Sequence, residues 1–222
     1  MYKQIRLVST KQYIEDTMKE ACPNLSYALR GECMDYVISI DSEQEDICDV
    51  LDAFEEEIYS TDGKGLAETL VETLLEEELI IATAESCTGG MIASSIVSVP
   101  NASNVFGEGI VSYSNQAKID RLGVDSNTLD LHGAVSKETA IEMVNGLIEN
   151  GANIAVATTG IAGPTGGSEE KPVGLVYIAV CSEESSEVHR MEFTGDRQQI
   201  RQQASNCAMH FAIQHILNLS DL

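Results

Sequence analysis

The sequence predicts an α/β protein, a layered sandwich with a mixed, mostly parallel sheet that follows a small α+β domain. Two short apolar runs, residues 79–84 and 154–158, lack the alternation of half-exposed strands, as expected when helices cover both faces of a sheet. Helical patterns separate these runs, which indicates repeated βα units. Two adjacent strand patterns at residues 174–181 and 187–193 predict a hairpin, and therefore a sheet of mixed direction.

A step in charge predicts where the two domains meet. Residues 1–79 hold 20 acidic and 6 basic side chains, a net charge of −14, whereas residues 80–222 have a net charge of −9. The turn-rich run at residues 61–65 lies near this step. We therefore expect a small acidic domain over residues 1–60 and a larger domain over residues 66–222.

The small domain shows a β-α-β-β-α pattern. We predict its elements from apolar spacing, alternation and turn residues. In chain order they are a strand at 4–8, a helix at 10–21, strands at 26–30 and 34–40, and an acidic helix at 42–58.

The larger domain alternates strands and helices. In addition to the four strands above, we predict a strand at 109–113 and helices at 66–78, 88–97, 116–122, 136–150 and 196–217.

Composition excludes several classes of partner. The chain has 222 residues and a net charge of −23, with 43% hydrophobic residues. Such an acidic protein repels nucleic-acid phosphates and anionic membranes, so neither is an expected partner. The N-terminal segment has no apolar core of signal-peptide length, which favours a cytoplasmic location. The six cysteines are scattered without a C-x-x-C pair, and the four histidines lack ligand spacing, so we expect free thiols and no metal.

The first candidate segment is AESCTGG at residues 84–90, where a strand gives way to a helix. Amides at such a helix start favour an anion or an oxyanion, and glycines allow close approach of a ligand. Ser86 is a candidate nucleophile and Cys87 a rival, with the amides of Cys87, Thr88 or Gly89 as oxyanion donors. Taken alone, this segment favours a simple N-cap role for Ser86 or Thr88 over a catalytic one.

The second candidate segment is GIVSYSNQAK at residues 109–118. Tyr113 lies at the end of the predicted strand, and Lys118 lies early in the next helix, where a cation is unfavourable. A desolvated lysine can lose its proton and act as a base, although a surface role is also open.

The third candidate segment, residues 158–174, is a long loop with five glycines and two prolines. Its amides, together with two arginines on the closing helix, are candidates for binding a phosphate. The residues proposed for substrate binding in these two regions are Thr159, Gly160, Gly163, Gly166, Gly167, Arg197 and Arg201.

Together with LGV at 122–124 and HGAVS at 132–136, these segments resemble the CinA C-terminal domain family over residues 66–217. Residues 1–60 resemble the small middle domain that precedes this unit in full-length CinA proteins. The family includes nicotinamide mononucleotide deamidases, so the resemblance implies a cofactor-free amidohydrolase that acts on a pyridine nucleotide, and a homo-oligomer. By the same resemblance, Ser86 is the nucleophile, and Tyr113 and Lys118 assist it.

Two other functions remain open at this point. The chain could bind a nucleotide without turning it over, or residues 1–60 could recruit a protein partner while the larger domain acts as a scaffold. Release of ammonia from nicotinamide mononucleotide distinguishes the enzyme from the nucleotide-binding protein, and a pull-down with residues 1–60 deleted tests the recruitment of a partner.

Overall fold

The computed structural model describes residues 2–41 and 47–220. The first part of the chain forms a four-stranded antiparallel sheet in the order β2-β3-β1-β4. Its elements are β1 (Tyr2–Val8), α1 (Lys11–Ala21), β2 (Tyr27–Glu32), β3 (Asp35–Asp41), α2 (Cys48–Ala53) and β4 (Ile58–Ser60). Inward-facing apolar side chains, among them Ile5, Ile14 and Phe54, form its core.

The acidic helix predicted for residues 42–58 is shorter than expected. Residues 42–46 lie outside the described ranges, and the helix that is described ends at Ala53. Ile58 belongs to β4, where it pairs with Leu7 of β1. Tyr59, which follows, is buried in the hydrophobic core of the larger unit, and β-branched and aromatic residues such as Ile58 and Tyr59 favour strands.

The second part of the chain is a layered α/β unit, as predicted, built on a five-stranded mixed sheet in the order β6-β5-β7-β8-β9. Its strands are β5 (Ile81–Glu85), β6 (Phe106–Val111), β7 (Ile154–Gly160), β8 (Leu175–Cys181) and β9 (Ser186–Glu192). Its helices are α3 (Leu66–Glu76), α4 (Met91–Val97), α5 (Asn115–Leu122), α6 (Ser126–His132), α7 (Lys137–Glu149) and α8 (Arg197–Ser220). β8 runs opposite to the other four strands.

The two faces of this sheet carry different side chains. One face presents large branched residues such as Ile81, Val156 and Ile178 toward α3, α4 and α8. The other presents small residues such as Ala82 and Ala157 toward α7. Because side chains alternate along each strand, this division follows from the sequence, and the alanine face lets α7 pack closely.

The two units contact each other along α8. Val8 and Tyr59 join the hydrophobic core of the larger unit. The side-chain amide of Asn206 donates to the carbonyl oxygen of Cys33 at 2.9 Å, and His210 Nε2 lies 3.0 Å from the carbonyl oxygen of Glu56. None of the six cysteines, all of which lie in the described ranges, forms a disulfide bond. Within the described ranges, no helix is long and apolar enough to cross a membrane.

Candidate active site

The predicted functional segments meet at one edge of the larger sheet. Ser86 follows β5 directly, Ser112 and Tyr113 follow β6, and Thr159 and Gly160 end β7. These three neighbouring strands are parallel, so their carboxyl ends lie side by side. They border a cavity of about 240 Å³, which is where ligands bind in open α/β sheets. Its lining residues are Ser86, Cys87, Tyr113, Lys118, Ala134, Val135, Thr159, Gly160, Ala162 and Arg197.

A lysine and a serine form the chemical centre of this cavity. The Lys118 amine lies 3.0 Å from Ser86 Oγ and donates to the carbonyl oxygen of Ser112 at 2.7 Å. Lys118 is only 1% exposed, and it is among the largest fully buried side chains of the protein. Ser114 begins α5 by accepting a hydrogen bond from the amide of Ala117, and this start places Lys118 one turn into the helix, facing inward.

Burial changes the acid–base properties of this lysine. Removal from water lowers the pKa of Lys118 from 10.5 to about 8, because an ammonium group is poorly solvated inside the protein. A lysine with this pKa exists partly as the neutral amine near neutral pH. It can therefore accept a proton from the hydroxyl group it contacts.

The rival nucleophile, Cys87, is held in its unreactive form. Its thiol is buried, and desolvation raises its pKa to about 11. The thiolate is the reactive species of cysteine, so a pKa this high disfavours attack by Cys87. The geometry and electrostatics both favour Ser86.

Two charged side chains fix the loop of residues 86–89 and the start of the helix that follows it. The buried carboxylate of Glu85 accepts hydrogen bonds from the amides of Gly90 at 2.8 Å, Ile92 at 3.2 Å and Ala93 at 2.8 Å, and so caps α4. The guanidinium of Arg201 donates to the carbonyl oxygens of residues 87 and 88. The hydroxyl groups of Thr88 and Thr158 share a hydrogen bond of 2.7 Å, which ties the loop to β7.

Tyr113 and Arg197 lie together at the mouth of the cavity. Tyr113 is 64% exposed, and its hydroxyl oxygen accepts a hydrogen bond of 3.4 Å from Arg197. Arg197 also donates to the carbonyl oxygen of Gly163 at 2.8 Å. The structure therefore places Tyr113 beside a cation at the entrance, whereas the partners of the Lys118 amine are Ser86 and Ser112.

Only part of the glycine-rich loop, residues 158–174, lines the cavity, although its composition predicts a larger role in substrate binding. Thr159 and Gly160 line the cavity, and Thr159 Oγ1 donates to the carbonyl oxygen of Ala134 at 2.6 Å. Gly163 is buried behind Arg197, while Gly166 and Gly167 are exposed and do not belong to the lining. Thr88, Gly89 and Arg201 also lie outside the lining.

Glu85, the Ser112 carbonyl group and the apolar wall at Ala134, Val135 and Ala162 were not predicted from the sequence as site residues. An acidic residue just before a helix is a capping signal, and Glu85 could have been found in that way. The Ser112 carbonyl and the small apolar residues carry no such signal, because a backbone group has no sequence signature. Among the residues that the structure describes, no cluster of three histidine, cysteine or acidic side chains could hold a metal ion.

Comparison with known proteins decides the family. The family model described as the CinA C-terminal domain matches residues 63–216. The chain belongs to the CinA C-terminal domain family. The match includes Ser86, Lys118 and every other residue that lines the cavity.

Relatives and solved structures of the CinA family agree with this assignment. A putative competence-damage inducible protein of Clostridium acetobutylicum is 44% identical over 77% of this chain and 42% of its own length. A protein of the same description from Caldicellulosiruptor saccharolyticus is 41% identical over 92% of this chain and 54% of its own. The chain thus spans about half the length of these relatives.

Two crystal structures match the fold of this chain. A CinA superfamily protein from Klebsiella pneumoniae aligns with a TM-score of 0.66 and 35% identity over 69% of this chain and 96% of its own. The competence/damage inducible protein CihA from Agrobacterium tumefaciens aligns with a TM-score of 0.63 and 40% identity over 71% of this chain and 97% of its own. The predicted α/β class with a mixed sheet is thereby confirmed.

Proposed function

We propose that this protein is an amidohydrolase that converts nicotinamide mononucleotide and water into nicotinate mononucleotide and ammonia. The observation that carries the proposal is the buried Lys118 amine, with its pKa near 8, at 3.0 Å from Ser86 Oγ in a cavity. A carboxamide is a poor electrophile, and its hydrolysis needs an activated nucleophile of this kind. The choice of substrate rests on the resemblance to the deamidases of the CinA family.

The first half of the reaction forms an ester. Ser86 Oγ attacks the carboxamide carbon while neutral Lys118 takes the hydroxyl proton, and the carbonyl oxygen becomes an oxyanion. In this proposal the amides of Thr88 and Gly89 stabilise that oxyanion. When the C–N bond breaks, Lys118 returns the proton to the leaving nitrogen, which departs as ammonia.

The second half regenerates the serine. Water enters the position that ammonia has left, and Lys118 takes one of its protons as the water oxygen attacks the ester carbon. Collapse of the second tetrahedral intermediate breaks the bond to Ser86 Oγ, which recovers its proton from Lys118. The same amine therefore serves as base and acid in both halves.

Arg197 and Tyr113 are our candidates for substrate positioning at the cavity mouth. Arg197 is exposed and cationic in a chain of net charge −23, so it provides a local attraction for the nucleotide phosphate. Tyr113 offers its exposed ring and hydroxyl group beside Arg197. In this proposal Tyr113 orients the substrate, because its hydroxyl bonds to Arg197 and not to the Lys118 amine.

Purified protein incubated with nicotinamide mononucleotide tests the proposal. Ammonia and nicotinate mononucleotide should appear in equal amounts, with nicotinamide riboside, which lacks the phosphate, turned over less efficiently. The control is Cys48→Ser, which removes an exposed thiol remote from the cavity and should leave the rate unchanged. Binding of the nucleotide without ammonia release would contradict the proposal and indicate a non-catalytic nucleotide-binding protein.

A further inference from the structure

We propose that Arg201 is a positioning residue that turns the backbone amides of Thr88 and Gly89 toward the reacting carbonyl oxygen. Sequence reasoning assigns Arg201 to the substrate phosphate, and the structure indicates a different role. The inference rests on the proposed function, because it concerns the oxyanion that Ser86 generates.

The contacts of Arg201 are with the protein itself. Its Nη2 donates to the carbonyl oxygen of Thr88 at 2.6 Å and its Nε to that of Cys87 at 3.1 Å. Its Nη1 donates to Gln198 at 3.2 Å. All three guanidinium nitrogens thus have acceptors, and Arg201 does not line the cavity.

These two carbonyl contacts fix the direction of two amides. A trans peptide is planar, and its N–H points opposite to its C=O. Because the carbonyl groups of Cys87 and Thr88 point at Arg201, the amides of Thr88 and Gly89 point away from it. The amides of Cys87 and Thr88 both lie close enough to the Cys87 sulfur to lower the pKa of that thiol, and Cys87 lines the cavity.

The neighbouring amides are already engaged. Ser86 donates its amide to the carbonyl oxygen of Thr158 at 2.9 Å, and Gly90 donates to Glu85. Between them, the amides of Thr88 and Gly89 are the donors that we assign to the oxyanion. Gly89 also has a φ of +64°, and a Cβ there would lie 3.3 Å from Arg201 Nη2, so the backbone and the guanidinium pack closely.

The test compares three arginine variants with two readouts. We assay kcat and KM for Arg201→Met, Arg197→Met and the control Arg190→Met. The control loses an exposed ion pair with Glu192 and a hydrogen bond with Tyr177, both outside the cavity lining. The second readout is the rate at which a small alkyl fluorophosphonate labels Ser86, followed by mass spectrometry. In that reaction the Ser86 Oγ–P bond forms, the P–F bond breaks, fluoride leaves and the proton passes to Lys118. The phosphoryl oxygen takes the place of the oxyanion.

Arg201→Met should lower both kcat and the labelling rate roughly 10²-fold, the usual effect of losing an oxyanion donor, with KM little changed. Arg201→Lys should recover part of this loss, because an ammonium group keeps the charge but lacks the planar pair of donors that bonds to both carbonyl oxygens. Arg197→Met should chiefly raise KM, and Arg190→Met should match the wild type.

A raised KM with normal labelling in Arg201→Met would overturn the inference and assign the residue to substrate binding. A loss of rate that merely follows the unfolded fraction, measured by circular dichroism, would also overturn it. If wild-type Ser86 is labelled but the nucleotide is not hydrolysed, the proposed function fails while the labelling ratio still decides the role of Arg201. A wild-type protein that does neither contradicts both.

Discussion

Burial of the Lys118 amine destabilises the folded protein and at the same time prepares the amine to act as a base. A shift in pKa from 10.5 to about 8 corresponds to roughly 3 kcal/mol of unfavourable free energy when the folded protein holds the charged amine. The same burial supplies a neutral amine beside Ser86. A cation early in a helix is also unfavourable, and this was the sequence signal that singled out Lys118.

The pH dependence of activity follows from this pKa. Below pH 8 the amine of Lys118 is mostly protonated and cannot accept the Ser86 proton, so kcat/KM should rise through an apparent pKa of about 8. Lys118→Met keeps most of the side-chain volume and should lower kcat by about 10²–10⁴-fold. A rate profile that is flat between pH 6 and 9 would remove Lys118 from the mechanism.

The gain in stability of Lys118→Met over the wild type should decrease as the pH rises. The folded protein binds the Lys118 proton less tightly than the unfolded chain does, so the penalty is full below pH 8 and disappears as the pH rises toward 10.5. We expect Lys118→Met to raise the melting temperature at pH 7 and to lose this advantage near pH 10.5. Melting curves at both pH values measure the effect, and a variant less stable than wild type at pH 7 would show that the amine stabilises the fold.

At the level of elements, two helices determine where Lys118 lies. Helix α5 carries the lysine and ends at Leu122, whose carbonyl oxygen contacts α7 at Gly146. A Cβ at Gly146 would overlap that oxygen, so only glycine permits this approach. Helix α7 therefore supports the end of the helix that presents the base.

Gly146→Ala tests this contact. Alanine favours helices over glycine by about 1 kcal/mol, but the overlap with Leu122 should outweigh that gain and destabilise the protein by about 1–3 kcal/mol. Denaturant unfolding measures the change, with Glu149→Ala as a control on the exposed end of the same helix. An increase in stability would show that α5 and α7 can separate without cost.

The elements that the sequence predicts are those with strong local signals. The buried strands β5 and β7 and the helix that Ser136 caps follow from apolar runs and capping residues. Helix α6 was missed because its seven residues, SNTLDLH, contain two leucines and lack a clear apolar face. The strand β6 begins at Phe106, earlier than predicted, because its glycines lower strand propensity, although pairing with β5 holds it in the sheet.

The residues of the candidate site likewise differ in whether local sequence signals predict them. Ser86 and Lys118 could be selected from helix starts and strand ends, since these positions follow from chain order. The direction of each side chain could not, because it depends on packing between distant segments. Tyr113 and Arg201 illustrate this point, as one turns outward to Arg197 and the other binds carbonyl groups of a loop 113 residues away.

At the level of the whole molecule, the division into two domains remains a prediction. Every proposed catalytic and binding residue lies between Ser86 and Arg201, yet Val8 and Tyr59 belong to the core of the larger unit. The two solved structures align over about 70% of this chain and nearly all of their own length, so related units fold without an equivalent of the remainder.

A chain that starts at residue 62 should therefore fold and release ammonia, but with a lower melting temperature than the full chain. Circular dichroism and ammonia assays, normalised to folded protein, measure both properties. A folded but inactive truncation would place part of the site on residues 1–60. An unfolded one would show that the two units share a single core.

A covalent bond between Ser86 and the substrate is the central step of the proposed reaction. Turnover of nicotinamide mononucleotide quenched in acid, followed by digestion and mass spectrometry, should reveal the Ser86 peptide with the substrate added and ammonia lost. Ser86→Ala should show neither the adduct nor ammonia release, while circular dichroism remains that of the wild type. An adduct on Cys87, or undiminished ammonia release by Ser86→Ala, would contradict the account.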